Sequence, residues 1–199
     1  MNRSLLMQYL KEEVKKAIVK SAIKEFKEKS YTKASMRSIA KNAGVTVGNI
    51  YRYFDNKDDL FNFIVDPVWN DLERVMFEHY TMSADLFPIT EIITSVMDIY
   101  KRSNNELFIL FQNSAGSKYG NFKERLIGLI EKRIKGEYLP ILKENNRNLD
   151  DKFIFYIISN AIVDSVYIIM KECDDDFKRA ESLIKQTITI FFNDLAKRI

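Results

Sequence analysis

The chain has 199 residues, 46% of them hydrophobic, with 31 Lys or Arg against 28 Asp or Glu and a formal net charge of +3. That length accommodates one or two domains with a buried core, and 6 Gly with 3 Pro favour helix over sheet. A single cysteine, Cys173, excludes an internal disulfide and a multi-cysteine metal site, and a single histidine, His79, leaves no second imidazole at metal-ligand spacing.

Charge is unevenly placed. Residues 1–53 carry 12 Lys or Arg and 4 Glu, a net +8, which leaves −5 for the remainder. A basic first quarter on a mildly acidic body is the footprint of a nucleic-acid-binding head, although a solvated lysine-rich helix accounts for part of the excess. The opening run MNRSLLMQYLKEEVKK has an apolar patch too short and too soon interrupted for a signal peptide. No run approaches the ~20 apolar residues of a membrane span, so the expectation is a cytoplasmic protein without membrane contact. The first predicted helix carries Lys15, Lys16, Lys20, Lys24, Lys27 and Lys29, with Val14, Ala17, Ile18, Ala22 and Phe26 as its packing face.

The next stretch, SMRSIAKNAGVTVGNIYRYFDNKDDL over Ser35 to Leu60, is the most informative part of the chain. Met36, Ile39, Ala40 and Ala43 fall at i, i+3, i+4 and i+7 and predict an amphipathic helix, capped by Ser35 and ended by Gly44 in the left-handed conformation. Val45 plugs the turn. Thr46 caps a second helix, on which Val47, Ile50, Tyr51 and Phe54 repeat the spacing. Its other face carries Gly48, Asn49, Arg52 and Tyr53, with no acid and many donors, as a groove-reading surface needs. Gly48 costs its helix about 1 kcal/mol relative to alanine. Either its missing side chain lets the backbone approach a duplex, or it is a packing or capping compromise near a helix start. Two short helices joined by a glycine turn have the geometry of a helix-turn-helix, whose second helix enters the major groove.

These residues resemble the DNA-binding module of TetR-family transcriptional regulators. Ile39-Ala40, Ala43-Gly44-Val45, Gly48, Tyr51, the Tyr53-Phe54 pair, Lys57 and Leu60 stand in the family's register. The likeness covers about residues 10 to 65, and beyond them only length and helical pattern resemble the family. The family has Ser or Thr where Thr46 stands, and often His, with Tyr a common variant, where Tyr53 stands. The expected DNA contacts are Ser35, Thr46, Val47, Gly48, Asn49, Tyr51, Arg52, Tyr53 and Lys57. Of these, Val47, Asn49 and Arg52 are expected to face bases, and Thr46, Tyr51, Tyr53 and Lys57 to hold phosphates.

Asp55 or Asn56 caps a further helix opening at Lys57, with Asp58 and Asp59 in a first turn whose dipole suits acids. It is expected to run to about Tyr80, with Pro67 bending it near Asp66. That bend marks the expected boundary between a helix-turn-helix DNA-binding domain, residues 1–66, and a helical regulatory and dimerisation domain, residues 67–199. More helices are expected near 89–103, 105–115, 121–145, 150–172 and 175–197. The breaks are Phe87-Pro88, Ser103-Asn104-Asn105, Gly116 to Gly120, Asn145-Asn146 and Asp174-Asp175-Asp176, and Pro140 either kinks the longest of these helices or tightens its last turns.

The last two helices are apolar on nearly every face, and such helices need cover on all sides. Either both are simply core, or a second subunit completes a four-helix bundle; the TetR resemblance implies the dimer. The expected interface is Ile158, Ala161, Ile162, Ile169, Ile184, Ile188, Phe191 and Leu195. Trp69, Tyr100, Phe111 and Tyr138 are candidate walls of a small-molecule pocket, or core. Asn160 and Asp164 join them as candidates, because a buried Asp is costly unless paired; a ligand, a dimer partner or an internal cation such as Arg102 would each serve.

No catalytic activity, metal or cofactor is expected. Nothing near Phe77-Glu78-His79-Tyr80 marks an activated nucleophile, and SAGSKYGN, with Gly116 and Gly120, lacks the GK[ST] ending of a phosphate loop. The sequence therefore points to an all-α protein: an N-terminal three-helix helix-turn-helix head followed by a helical, TetR-like ligand-binding and dimerisation body. It would act as a homodimer on a palindrome in double-stranded DNA. Most members of this family are repressors, and release would come from a small, largely apolar or aromatic inducer. The alternatives are an activator or DNA-organising factor controlled by a protein partner, and a small-molecule carrier with a vestigial head.

Overall fold

A computed structural model describes residues 3–77, 89–146 and 149–192, and over these the chain is helical with no strand. The elements are α1 (Arg3–Lys33), α2 (Met36–Ala43), α3 (Val47–Ile50), α4 (Lys57–Phe77), α5 (Ile89–Phe108), a π-helical turn (Ile109–Asn113), α6 (Phe122–Glu144), α7 (Ile154–Cys173) and α8 (Phe177–Phe192). Two compact units emerge, one of residues 1–69 with 103–122, the other of residues 70–102 with 123–199. The expected features at His79, Tyr80, Phe87-Pro88 and Leu195 lie outside the described residues.

In the first unit α1 packs on α2, and α2 on α3. Ile18, Ala22 and Phe26 of α1 are buried, as are Ile39 and Ala40 of α2, Ile50, Phe54, and Leu60, Phe61 and Val65 of α4. Phe61 sits edge-on to both Phe26 and Tyr31, with ring centroids 5.0 and 4.9 Å apart. α1 is interrupted at Ser30, whose φ of 67° and ψ of 163° are non-helical. A single turn follows the interruption.

Residues 103–122 also belong to this unit, which periodicity does not reveal. The Asn113 amide donates to the Lys27 carbonyl at 2.8 Å, and the Lys27 ammonium donates to the Asn105 side chain at 2.8 Å. Gly116, at φ 88°, lies so close to α1 that a Cβ would stand 2.7 Å from the Thr32 methyl. The break expected at Ser103-Asn104-Asn105 is instead a kink within α5, carried by Ser103 alone (φ −138°, ψ 36°). The helix expected to reach 115 ends in the π-helical turn, where the Ser114 hydroxyl lies 2.8 Å from the carbonyls of both Leu110 and Tyr119. Pro67 lies inside α4 without ending it. The unit boundary falls just beyond it, after Trp69.

In the second unit α7 packs against α8. Phe155, Ile158, Ile162, Val163, Ile169 and Cys173 line the buried face of α7, opposite Ala180, Ile184, Ile188 and Phe192 of α8. The residues of the expected interface divide by burial within the chain. Ile158, Ile162, Ile169, Ile184 and Ile188 are spent inside their own chain, while Ala161 and Phe191 are only half-buried. The outward face of α7 is a different stripe, Phe153, Ile157 (50% exposed) and Ile168 (56% exposed), with Ile190 of α8 also outward. On a helix apolar all round, composition cannot say which side its own chain covers.

A correction concerns α7 as a whole. At 20 residues it is long and apolar enough to cross a membrane by length and composition, with 33% of that window buried within the chain. The partly exposed Asn160 and Asp164 interrupt its outward side.

Candidate nucleic-acid interface

Local chemistry builds the helix-turn-helix as the spacing predicts. Ser35, in extended conformation, caps α2 by accepting from the Ser38 N–H at 3.1 Å. Gly44 ends α2 at φ 70°, and Val45 N–H returns to the Ala40 carbonyl at 3.0 Å. Thr46 then caps α3, accepting from the Asn49 N–H at 3.2 Å. Only four residues of α3 are regular helix. Beyond it the turn continues with a three-residue bond from Tyr53 N–H to the Ile50 carbonyl (2.9 Å) and a four-residue bond from Phe54 N–H to the same acceptor (3.1 Å). Ile50 and Phe54 anchor this segment in the core.

Side chains expected to touch DNA divide by exposure. Ser35, Thr46, Gly48, Tyr51 and Arg52 are exposed, and Val47, Asn49, Tyr53 and Lys57 are half-buried. Tyr51 departs from the apolar stripe assigned to it: it is 49% exposed and contributes to the outer surface. A Cβ on Gly48 would meet nothing within 4 Å, so packing inside the chain does not demand glycine there. Lys57 is turned toward protein. Its ammonium donates to the carbonyls of Tyr31 (2.8 Å) and Ala34 (3.3 Å) and lies 4.4 Å from the Tyr31 ring centroid. With two of three N–H donors engaged at the end of α1, it is first a structural clasp.

Three residues absent from the sequence-based list belong to this region. Arg37 and Lys41, exposed at i and i+4 on α2, line an open groove of about 560 Å³ together with Ser35, Ser38, Thr46 and Val47. Their spacing in the sequence was a sufficient signal. The third is Glu25, only 2% exposed beneath the start of α2. Its carboxylate accepts from the Ser38 hydroxyl (2.8 Å), the Lys29 ammonium (3.1 Å) and the Ser35 N–H (3.4 Å). Burial pushes this carboxyl up, but the bonds from Ser38, Lys29 and Ser35 outweigh it and hold the group below the usual carboxylate range. Its position on the Ile18–Ala22–Phe26 stripe was the legible hint.

The candidate ligand residues are dispersed. Trp69 and Phe111 both stand edge-on to Phe122 in the first unit, at 5.8 and 4.9 Å. In the second unit the Tyr100 hydroxyl reaches the Met170 and Asp174 carbonyls at 3.2 and 2.5 Å, closing the end of α7. Burial, and then the charges of Cys173, Asp174 and Asp175, push that phenol up. Tyr138 is buried and stacks on Phe192 at 6.2 Å. Asn160 donates to Asp164 at 3.1 Å, and the cation on Asp164 is Lys123 (2.6 Å), not Arg102, which pairs with Asp71.

A capped helix, a left-handed glycine turn and a short outward helix without acids define a helix-turn-helix DNA-binding regulator. Residues 18–64 match the family model described as "Bacterial regulatory proteins, tetR family". A Haemophilus influenzae protein described as an uncharacterized HTH-type transcriptional regulator is 22% identical over 201 residues, spanning 94% of this chain and 90% of its own. Among solved structures, a transcriptional regulator of the TetR/AcrR type from Aquifex aeolicus is similar at a TM-score of 0.64 and 16% identity, covering 90% of this chain and 99% of that one. FadR from Bacillus subtilis in complex with stearoyl-CoA is similar at 0.53 and 14% identity, covering 87% and 97%. The structural likenesses define the fold, and residues 18–64 carry the head motif of the tetR family of bacterial regulatory proteins. This is a family of DNA-binding proteins, not enzymes.

Proposed function

We propose that the chain is a homodimeric, ligand-released repressor that binds a palindromic operator through two copies of the head. The observation that carries this reading is the acid-free, donor-rich surface from Thr46 to Phe54 beside the basic edge of α2. In the bound state Asn49, Arg52 and Val47 face bases, while Ser35, Thr46, Tyr51 and Tyr53 hold phosphates together with Arg37 and Lys41. Gly48 has open space around it, and close approach of the duplex supplies the reason for glycine that the chain's own packing lacks.

Dimerisation uses the outward stripe of α7, and a two-fold axis sets two heads on half-sites one helical turn apart, about 34–36 Å. The functional division into a head, residues 1–66, and a body, residues 67–199, belongs to this proposal, as does a cytoplasmic location. Fold likeness to a FadR that holds stearoyl-CoA supports an apolar inducer, which acts by favouring a state whose heads are wrongly spaced.

The test selects operator DNA from a random pool and compares the parent with Arg52→Ala. The variant is expected to lose about 1–3 kcal/mol on the selected site and to relax specificity at one position. Equal binding of selected and random DNA by both proteins overturns the base-reading assignment. A stable monomer in sedimentation at micromolar concentration overturns the dimer.

A further inference from the structure

The outward side of α7 is not uniformly apolar. Phe153, Ile157, Asn160, Asp164 and Ile168 fall at i, i+4, i+7, i+11 and i+15 and share one face. The stripe runs about 22 Å along the helix. Its centre is polar: Asn160 donates to Asp164 at 3.1 Å, and Lys123 of α6 pairs with Asp164 at 2.6 Å. A lipid phase offers such a cluster no partners, and charged groups at mid-bilayer are expensive. A partner with a wholly apolar face would likewise leave a carboxylate desolvated and under-bonded. A second copy of this chain is different. A two-fold axis through the middle of the stripe brings one Asn160–Asp164–Lys123 cluster onto the other, with an amide, a carboxylate and an ammonium on each side to complete the hydrogen bonding.

We propose that Asn160, Asp164 and Lys123 form the partner-selecting and register-setting element of the homodimer. The inference rests on the dimer reading given above. A single polar group in an apolar helical seam fixes register and partner at some cost in stability, and this cluster does the same for the spacing of the two heads. Asp164 is part-exposed in the single chain, so its replacement leaves the core of the second unit intact.

The experiment mixes differently tagged full-length chains, lets subunits exchange, and counts mixed dimers by native mass spectrometry; operator affinity and flotation with phosphatidylcholine–phosphatidylglycerol vesicles are measured beside it. The double variant Lys123→Met with Asp164→Leu, which replaces both charged partners, is expected to self-associate as well as the parent, since apolar replacement of a desolvated pair is often neutral or stabilising. Its mixed dimers with the parent should fall from the binomial half to about a tenth or less, because the parental charged cluster then faces an apolar one. Operator affinity of the variant should fall at least about fivefold as the heads lose a single spacing. Asn160→Leu should show the same exchange deficit, and Asp164→Asn, which keeps the hydrogen bonding, should mix near the binomial half. Binomial mixing of both leucine variants with unchanged operator affinity overturns the proposal while leaving the dimer standing. A monomeric parent overturns the dimer reading itself, and a parent that floats with vesicles assigns the stripe to lipid and overturns the proposal.

Discussion

Ser30→Gly should stabilise the protein. Ser30 sits at φ 67° and ψ 163° where α1 gives way to its last turn, a region of backbone space that only glycine enters without strain. Holding a non-glycine residue there costs about 1–3 kcal/mol, and Gly removes that cost. Two terms oppose the gain. A glycine in the unfolded chain has more freedom to lose, about 0.4–1 kcal/mol. The exposed contact between the Ser30 and Thr32 hydroxyls, 3.2 Å, also disappears, and an exposed bond of this kind is worth no more than about 0.5 kcal/mol. The balance is a gain of roughly 1 kcal/mol, equivalent to about 2–4 °C for a chain of this size. Urea and thermal unfolding followed by far-ultraviolet circular dichroism measure it. Ser30→Val is the converse control, because a β-branched residue fits a positive φ worse than serine, and it should lower the midpoint. A Ser30→Gly midpoint at or below the parent's, or an unchanged midpoint for Ser30→Val, would refute the strain argument.

Three further outcomes follow from the geometry of the first unit. Gly116→Ala places a methyl 2.7 Å from that of Thr32 at a φ of 88°, and it should destabilise the unit by about 1–3 kcal/mol in urea unfolding. Glu25 has a folded pKa below its unfolded one, so its stabilising contribution is complete above the ordinary glutamate value, about 4.3, and is lost as pH falls toward the lower folded value. Glu25→Gln should therefore flatten the acid side of the stability profile, and an unchanged profile would exclude Glu25 as its source. Arg37→Ala and Lys41→Ala should weaken binding to specific and random DNA alike, each lowering the slope of log affinity against log salt by about 0.9; titration at several salt concentrations reads this directly.

The sequence alone was enough for whatever depends on neighbours along the chain. The caps Ser35 and Thr46, the left-handed Gly44 and the stripe through Ile39, Ala40, Ile50 and Phe54 were legible because each is a rule about positions within four residues of one another, and the structure reproduces them. The helical class and the family of the head follow from the same local signals. What depended on distant partners was hidden. Lys57 looks like a free phosphate ligand until the end of α1, 23 to 26 residues earlier, offers it two carbonyls. Glu25 reads as one more surface charge until Ser35, Ser38 and Lys29 converge on it. Residues 103–122 carry no mark in their own sequence of joining the unit that holds the head. The apolar excess of α7 was plain, yet only packing against α8 decided that Ile158, Ile162 and Ile169 turn inward and leave Phe153, Ile157 and Ile168 outside. Hydrophobic burial has no direction of its own. Composition says how much apolar surface must be covered, and the tertiary arrangement alone decides which side the chain covers for itself.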